Sequence, residues 1–294
     1  MITDRLIEKI VETQNPTCVG LDTALEYLPE EMLPETYSPE EIAKAVFSFN
    51  KGIVDATCDV VPAVKVQIAY YEEYGAAGVK CFFDTVNYAK SKGLFVIADC
   101  KRNDIGSTAA RYSKAYLGEG KEIDYLTVNG YLGTDGIEPF LSDCKAYDRG
   151  IFVLVKTSNP SSGELQDLKL QDGRSVFELM GDMVESWGKE TLGAYGYSAV
   201  GAVVGATHPE EAAVLRERLP HTFFLIPGYG AQGGNAEMLK NSFHAHGMGG
   251  IVNNSRGILC AYKKRGGTYA EAARQACLDM KADLLSVLGE ICAK

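Results

Sequence analysis

Short apolar, β-branched runs alternate with longer stretches in which apolar residues recur every three or four positions, and this alternation repeats along the whole chain. Runs of the first kind fall at 17–21, 63–67, 94–99, 125–129, 151–156, 199–204, 223–227 and 250–253. Their nearly continuous apolarity is that of strands covered on both faces. Helical periodicity occupies 39–58, 70–90, 107–117, 136–144, 175–191, 209–218, 236–241 and 269–288, and a charged amphipathic pattern opens the chain at 1–9. Eight strand–helix units with no linker, low-complexity tract or short repeat predict a single α/β domain, a (β/α)8 TIM barrel over residues 1–294. An open doubly wound sheet has the same strand count and stays the alternative.

Composition narrows the function classes. The 294 residues carry a formal net charge of −10 and are 46% hydrophobic, enough for one substantial core. The acidic balance argues against a nucleic-acid binder, which would show a basic face. No apolar run reaches transmembrane length and the opening segment is not a signal peptide, so the expectation is a soluble, cytoplasmic protein without membrane contact. The cysteines at 18, 58, 81, 100, 144, 260, 277 and 292 form no C-x-x-C pair and read as reduced, mostly buried small apolar residues. His208, His221, His244 and His246 read as surface residues; His244 and His246 have the spacing of a metal pair but lack a third ligand, and no metal is expected.

The most informative segment is Leu94-Phe-Val-Ile-Ala-Asp-Cys-Lys-Arg-Asn-Asp-Ile105. It begins as a buried strand and ends in Asp-x-Lys-x-x-Asp. Strand alternation sends Asp99 and Lys101 to one face and Cys100 to the other, with Asp104 in the turn before the next helix. A structural ion pair at Asp99–Lys101 and a helix cap at Asp104 are the plain alternatives. Lys65 sits in the middle of Val60-Val-Pro-Ala-Val-Lys-Val-Gln-Ile-Ala69, where an unpaired ammonium would destabilise the strand. It either snorkels outward or points inward to carboxylates, and Asp99 and Asp104 are the available ones.

In a (β/α)8 barrel, functional groups gather at the carboxyl ends of the strands. Asp22 follows the first predicted strand, Lys156-Thr-Ser-Asn-Pro160 the fifth, Pro227-Gly-Tyr-Gly-Ala-Gln-Gly-Gly234 the seventh and Asn253-Asn-Ser-Arg-Gly257 the eighth. Gly228, Gly230, Gly233 and Gly234 would let backbone N–H groups cradle an anion, and Arg256 would clamp a phosphate with paired donors. The segment 157–166 is long and polar, a surface loop or a lid.

These segments together resemble the orotidine 5′-monophosphate decarboxylase family, in particular its longer bacterial branch. The resemblance is carried by Val19-Gly-Leu-Asp22, Val64-Lys-Val66, Asp99-Cys-Lys-Arg-Asn-Asp-Ile105, Thr127-Val-Asn129, Lys156-Thr-Ser-Asn-Pro160, Pro227-Gly-Tyr-Gly-Ala-Gln232 and Ser255-Arg256. It implies a barrel that dimerises with both sites at the interface, and a reaction that needs no cofactor. Lys65, Asp99, Lys101 and Asp104 are similar to that family's Lys-Asp-Lys-Asp tetrad. By the same resemblance Asp104, Ile105 and Thr108 reach into the second subunit's site. Asp22 and Lys65 bind ribose hydroxyls, Ser158 contacts the pyrimidine, and Gln232 and Arg256 hold the phosphate. Asn129 receives no role.

The implied reaction converts orotidine 5′-monophosphate to uridine 5′-monophosphate and CO2, with Lys101 stabilising charge at C6 and then protonating it. Two other enzyme classes compete with it. A Schiff-base aldolase needs a neutral lysine, which carboxylates beside Lys101 oppose. A Mg²⁺-dependent sugar-phosphate relative needs an acidic ligand where this chain has Lys65. A nucleotide-binding module with a dead site is disfavoured because no tetrad position is missing.

Overall fold

The computed structural model describes residues 1–230 and 233–293. In chain order the elements are α1 (Ile2–Thr13), β1 (Thr17–Leu21), α2 (Pro39–Thr57), β2 (Ala63–Gln67), α3 (Ala69–Glu72), α4 (Gly75–Ser91), β3 (Phe95–Arg102), α5 (Gly106–Leu117), β4 (Tyr125–Val128), α6 (Thr134–Tyr147) and β5 (Gly150–Lys156). They continue with α7 (Gly163–Gln166), α8 (Val176–Gly188), β6 (Val200–Val204), α9 (Pro209–Arg218), β7 (Phe224–Pro227), α10 (Ala236–Leu239), β8 (Gly250–Asn254), α11 (Arg256–Leu259), α12 (Tyr262–Arg265) and α13 (Tyr269–Leu288). All strands are parallel and close in the order β1-β2-β3-β4-β5-β6-β7-β8, so the fold is the (β/α)8 barrel and not the open sheet.

Strand alternation divides the core in two. Outward-facing Val19, Val64, Val66, Val96, Leu126, Val153, Val204 and Ile226 pack against the surrounding helices. Inward-facing Cys18, Ala63, Ile97, Tyr125, Phe152, Leu225 and Ile251 fill the barrel with α1, whose Ile2, Leu6, Ile7 and Ile10 close the amino-terminal mouth. Such filling by side chains leaves the barrel a packed core rather than a pore.

Predicted and observed elements differ in informative places. The helix predicted at 70–90 is two helices, because Gly75 takes a left-handed backbone (φ 59°) and breaks the run. The strand predicted at 94–99 runs on to Arg102, through an irregularity described below. All eight cysteines are free, five of them buried. His244, expected on the surface, is half-buried, and its Nδ1 lies 2.6 Å from the Tyr197 hydroxyl.

Candidate active site

Polar side chains meet where the carboxyl ends of the strands converge on a cavity of about 610 Å³. Parallel register sets their heights: Gly20 pairs with Lys65, and Gln67 with Asp99. Lys65 therefore points inward from β2, one layer below Asp99, instead of snorkelling outward. Its Nζ donates to Asp99 Oδ2 at 2.7 Å and to Asp22 Oδ1 at 3.2 Å. Burial alone would push this ammonium's pKa down, but the two carboxylates outweigh it and hold it above the ordinary 10.5.

Asp99 is the hub. Oδ1 accepts from Lys101 Nζ at 2.6 Å and Thr127 Oγ1 at 2.9 Å; Oδ2 accepts from Lys65 Nζ at 2.7 Å and Gln67 Nε2 at 2.9 Å. These bonds occupy the roughly four lone-pair directions of a carboxylate. Burial raises its pKa, yet Lys65 and Lys101 together hold the carboxyl well below the usual range, so it stays ionised. A buried carboxylate is tolerated here because it is paired and fully bonded.

Asp99 and Lys101 meet as expected, but not by plain strand alternation. Ala98 pairs with Leu126 and Arg102 with Val128, so β3 advances four residues while β4 advances two. Within that offset Lys101 adopts a left-handed backbone, φ 49°. A non-glycine residue held there stores roughly 1–3 kcal/mol, and such strain clusters at functional sites. The Lys101 side chain is 47% exposed and opens onto the cavity. An ammonium bonded to an ionised carboxylate can supply a proton or a point of positive charge, and is poorly suited to act as an amine nucleophile.

The rest of the rim comes from the loops. Ser158 follows β5 and lines the cavity together with Thr157 and Asn159. The polar segment 157–166 is a built structure rather than a plain loop. It contains a 3-10 turn and α7, and fully buried Lys156 pairs with Asp167. Gln166 grips Thr157 twice, donating from Nε2 to Oγ1 at 2.8 Å and accepting from the backbone N at 3.0 Å. A Cβ at Gly205 would lie 2.8 Å from the Ser158 Cα, so β6 can approach this loop only with glycine there.

Arg256, at the start of α11, and Gly228 and Tyr229 also line the cavity. Gly228 and Gly230 take φ 105° and 73°, conformations that need glycine. The expected cradle of free donors is corrected, however. The N–H groups of Gly230, Gly233 and Gly234 donate to carbonyls within the loop, so these glycines shape the turn. Gln232 lies outside the described residues.

The structure thus brings Asp22, Lys65, Asp99, Lys101, Ser158 and Arg256 to one cavity, and leaves Asp104, Ile105 and Thr108 off its lining. Asp104 does not cap α5, since Ile105 holds the N-cap position and no side chain caps it. Its Oδ1 instead accepts from the Ile105 N–H at 2.8 Å. Ile105 is 54% exposed, and Thr108 is exposed as well. Asn129 builds the turn after β4, its Oδ1 accepting from Tyr131 N.

Sequence reasoning gives no role to Gln67, Thr127 and Asn253. All three face inward near strand ends and line the cavity. Asn253 is 6% exposed and its Oδ1 is buried without a hydrogen-bond partner among the described residues. Their inward position at strand ends was the available signal.

The chain is similar to known proteins over nearly its whole length. A profile of the "Orotidine 5'-phosphate decarboxylase / HUMPS family" matches residues 17–274. An orotidine 5′-phosphate decarboxylase of Clostridium botulinum (strain Loch Maree / Type A3) is 47% identical over 287 residues, covering 97% of this chain and 99% of that protein. One from Clostridium perfringens is 44% identical, covering 96% and 97%. The solved structure of Leishmania donovani OMP decarboxylase is 30% identical with a TM-score of 0.73, covering 97% and 98% of the two chains. By the extent of these matches, the chain belongs to the orotidine 5′-phosphate decarboxylase / HUMPS family.

Proposed function

We propose that this chain is a cytoplasmic homodimer, each subunit one (β/α)8 domain, that decarboxylates orotidine 5′-monophosphate to uridine 5′-monophosphate and CO2 in pyrimidine nucleotide biosynthesis, without a cofactor. The observation that carries this reading is the Lys65–Asp99–Lys101 array on one cavity, its carboxylate ionised and saturated with bonds.

Loss of CO2 from C6 leaves a pair of electrons in the ring plane, where the pyrimidine delocalises them poorly. Lys101 stabilises that developing charge and delivers a proton to C6. Asp99 sits beside the departing carboxylate, and repulsion between the two is relieved as CO2 leaves. Asp99 cannot escape this role by taking up a proton, because its lone pairs are committed to Lys65, Gln67, Lys101 and Thr127. Asp22 and Lys65 hold ribose hydroxyls, Ser158 contacts the pyrimidine, and Arg256 with Gln232 holds the phosphate. Binding energy from the phosphate, remote from C6, organises the reacting end.

The dimer rests on residues that have no work in their own cavity. Asp104, Ile105 and Thr108 complete the site of a second copy. Ile105 is 54% exposed, Tyr131 74% and Leu132 41%, so an apolar surface surrounds them. Leu132 and Asp104 both lie against Gly136, which joins the loops after β3 and β4 into one surface.

The test is the ultraviolet absorbance change on adding orotidine 5′-monophosphate with a chelator present. Rapid loss of substrate with CO2 release is expected, and Lys101→Ala should lower turnover by more than about 10⁴-fold while uridine 5′-monophosphate still binds. A near-normal rate in that variant would remove Lys101 as the proton donor. Mixing Asp104→Ala with Lys101→Ala, each inactive alone, should restore partial activity through sites built from two chains. No recovery despite demonstrated subunit exchange would overturn the shared site.

A further inference from the structure

We infer that Thr127 is a positioning residue for this reaction, its hydroxyl fixing the left-handed Lys101 and the carboxylate of Asp99 in a single closed ring of bonds. The inference rests on the functional reading above and adds a residue to it.

Thr127 is 1% exposed and points inward from β4. It occupies the place where the β3–β4 ladder skips, between the pairs Ala98–Leu126 and Arg102–Val128. At that skip Thr127 Oγ1 accepts from the Lys101 N–H at 2.9 Å. The same oxygen donates its proton to Asp99 Oδ1 at 2.9 Å, and Asp99 Oδ1 in turn accepts from Lys101 Nζ at 2.6 Å. The ring therefore runs from the backbone of Lys101, through one hydroxyl and one carboxylate oxygen, to the tip of the same lysine.

Both ends of Lys101 are held at once. The main chain stays in a conformation that non-glycine residues rarely adopt. The ammonium stays on the side of Asp99 that faces the cavity. Without the hydroxyl, the backbone donor of Lys101 loses its partner and Asp99 loses one of four. The residue then relaxes toward ordinary strand geometry, where its side chain no longer has a prescribed direction. Valine fits the same space but supplies neither the acceptor nor the donor; serine supplies both.

A positioning role separates from a structural one in kinetics. The Thr127→Val enzyme should lose roughly 10- to 100-fold in kcat, the scale of a small misplacement of a reacting group. KM and the affinity for uridine 5′-monophosphate should stay within about threefold, because ground-state binding does not use the ring. Thr127→Ser should recover most of the lost kcat, and Thr127→Ala offers a second variant without the hydroxyl if valine fails to fold. In an Asp99→Asn background, adding Thr127→Val should cost little more, since the two residues act through one network. Wild-type kcat in Thr127→Val would overturn the inference. So would parallel losses of kcat and affinity that serine does not rescue, or full additivity with Asp99→Asn. Failure of the wild-type enzyme to turn over orotidine 5′-monophosphate would instead overturn the functional reading, so the two failures are distinguishable.

Discussion

At the amino-terminal mouth of the barrel, α1 lays Ile2, Leu6, Ile7 and Ile10 onto the inward-facing strand residues, while Arg5 and the amino terminus pair with Asp148 and Asp4. The Tyr125 hydroxyl donates to Thr3 Oγ1 at 3.0 Å, which donates to the carbonyl of Ser198 at 2.9 Å. At the carboxyl-terminal mouth the same strands present Asp22, Lys65, Gln67, Asp99, Lys101 and Thr127 around an open cavity. One end spends its inward positions on apolar burial, which stabilises at about 25 cal/mol per Å². The other spends them on charges whose desolvation costs several kcal/mol per ion before pairing returns it. Apolar burial is concentrated at the first end and the proposed chemistry at the second, and one set of eight strands supports both.

The sharpest way to break this division is Asp99→Asn. It leaves the buried Lys65 with a weaker partner set, and removes the charge that Lys101 and, in the proposed mechanism, the departing carboxylate both sense. Activity should fall by at least about 10²-fold, and unfolding free energy by roughly 3 kcal/mol, checked by turnover assay and urea titration. The sign with pH follows from Asp99. Its carboxyl is held below the ordinary 3.8, so the pair stabilises the fold above that pH and the benefit is lost as pH falls through the lower folded value. An Asp99→Asn protein whose acid unfolding matched the wild type would contradict this.

At the opposite mouth, Leu6→Ala should cost about 2–5 kcal/mol of stability through the cavity it leaves. Its kcat should stay within about twofold of wild type, because Leu6 is not among the residues that line the cavity. A large loss of kcat without unfolding would show that the two ends are mechanically coupled.

The smallest effect is expected at His244, in the segment leading into β8 at the apolar end. Burial, and then the nearby charge of Arg216, push its pKa down from 6.5 to about 4. The unfolded chain therefore binds the proton more readily, and the fold loses stability as pH falls from 6.5 toward 4. His244→Gln should flatten thermal stability over that window and leave turnover unchanged, as melting curves across pH would record.

Much of the barrel was legible in the chain. Strand β1, strand β2, helix α9 and helix α13 fall where periodicity places them, because alternation and the helical repeat are local properties. Asp22, Lys65, Asp99, Lys101, Ser158 and Arg256 could be read as a site because strand ends in a barrel converge on one mouth. Gln67 and Thr127 receive no role from the sequence because a lone polar residue at a strand end looks like any other until the neighbouring strand's register is known. The glycine loop after β7 misled in the other direction: its composition suggests free donors, whereas its folded path spends them internally.

Sequence alone determined the order of strands and helices, the face each apolar residue seeks, and which charged residues stand at strand ends. It could do so because these depend on spacing along the chain and on the cost of burying an unpaired charge. Tertiary structure alone decided the left-handed turn at Lys101, the hydroxyl of Thr127 beneath it, the Lys156–Asp167 clasp on the loop after β5, and the separation of Asp104 from its own cavity. Each of these depends on how far one strand slides past its neighbour when the barrel closes, a quantity set by all eight strands together.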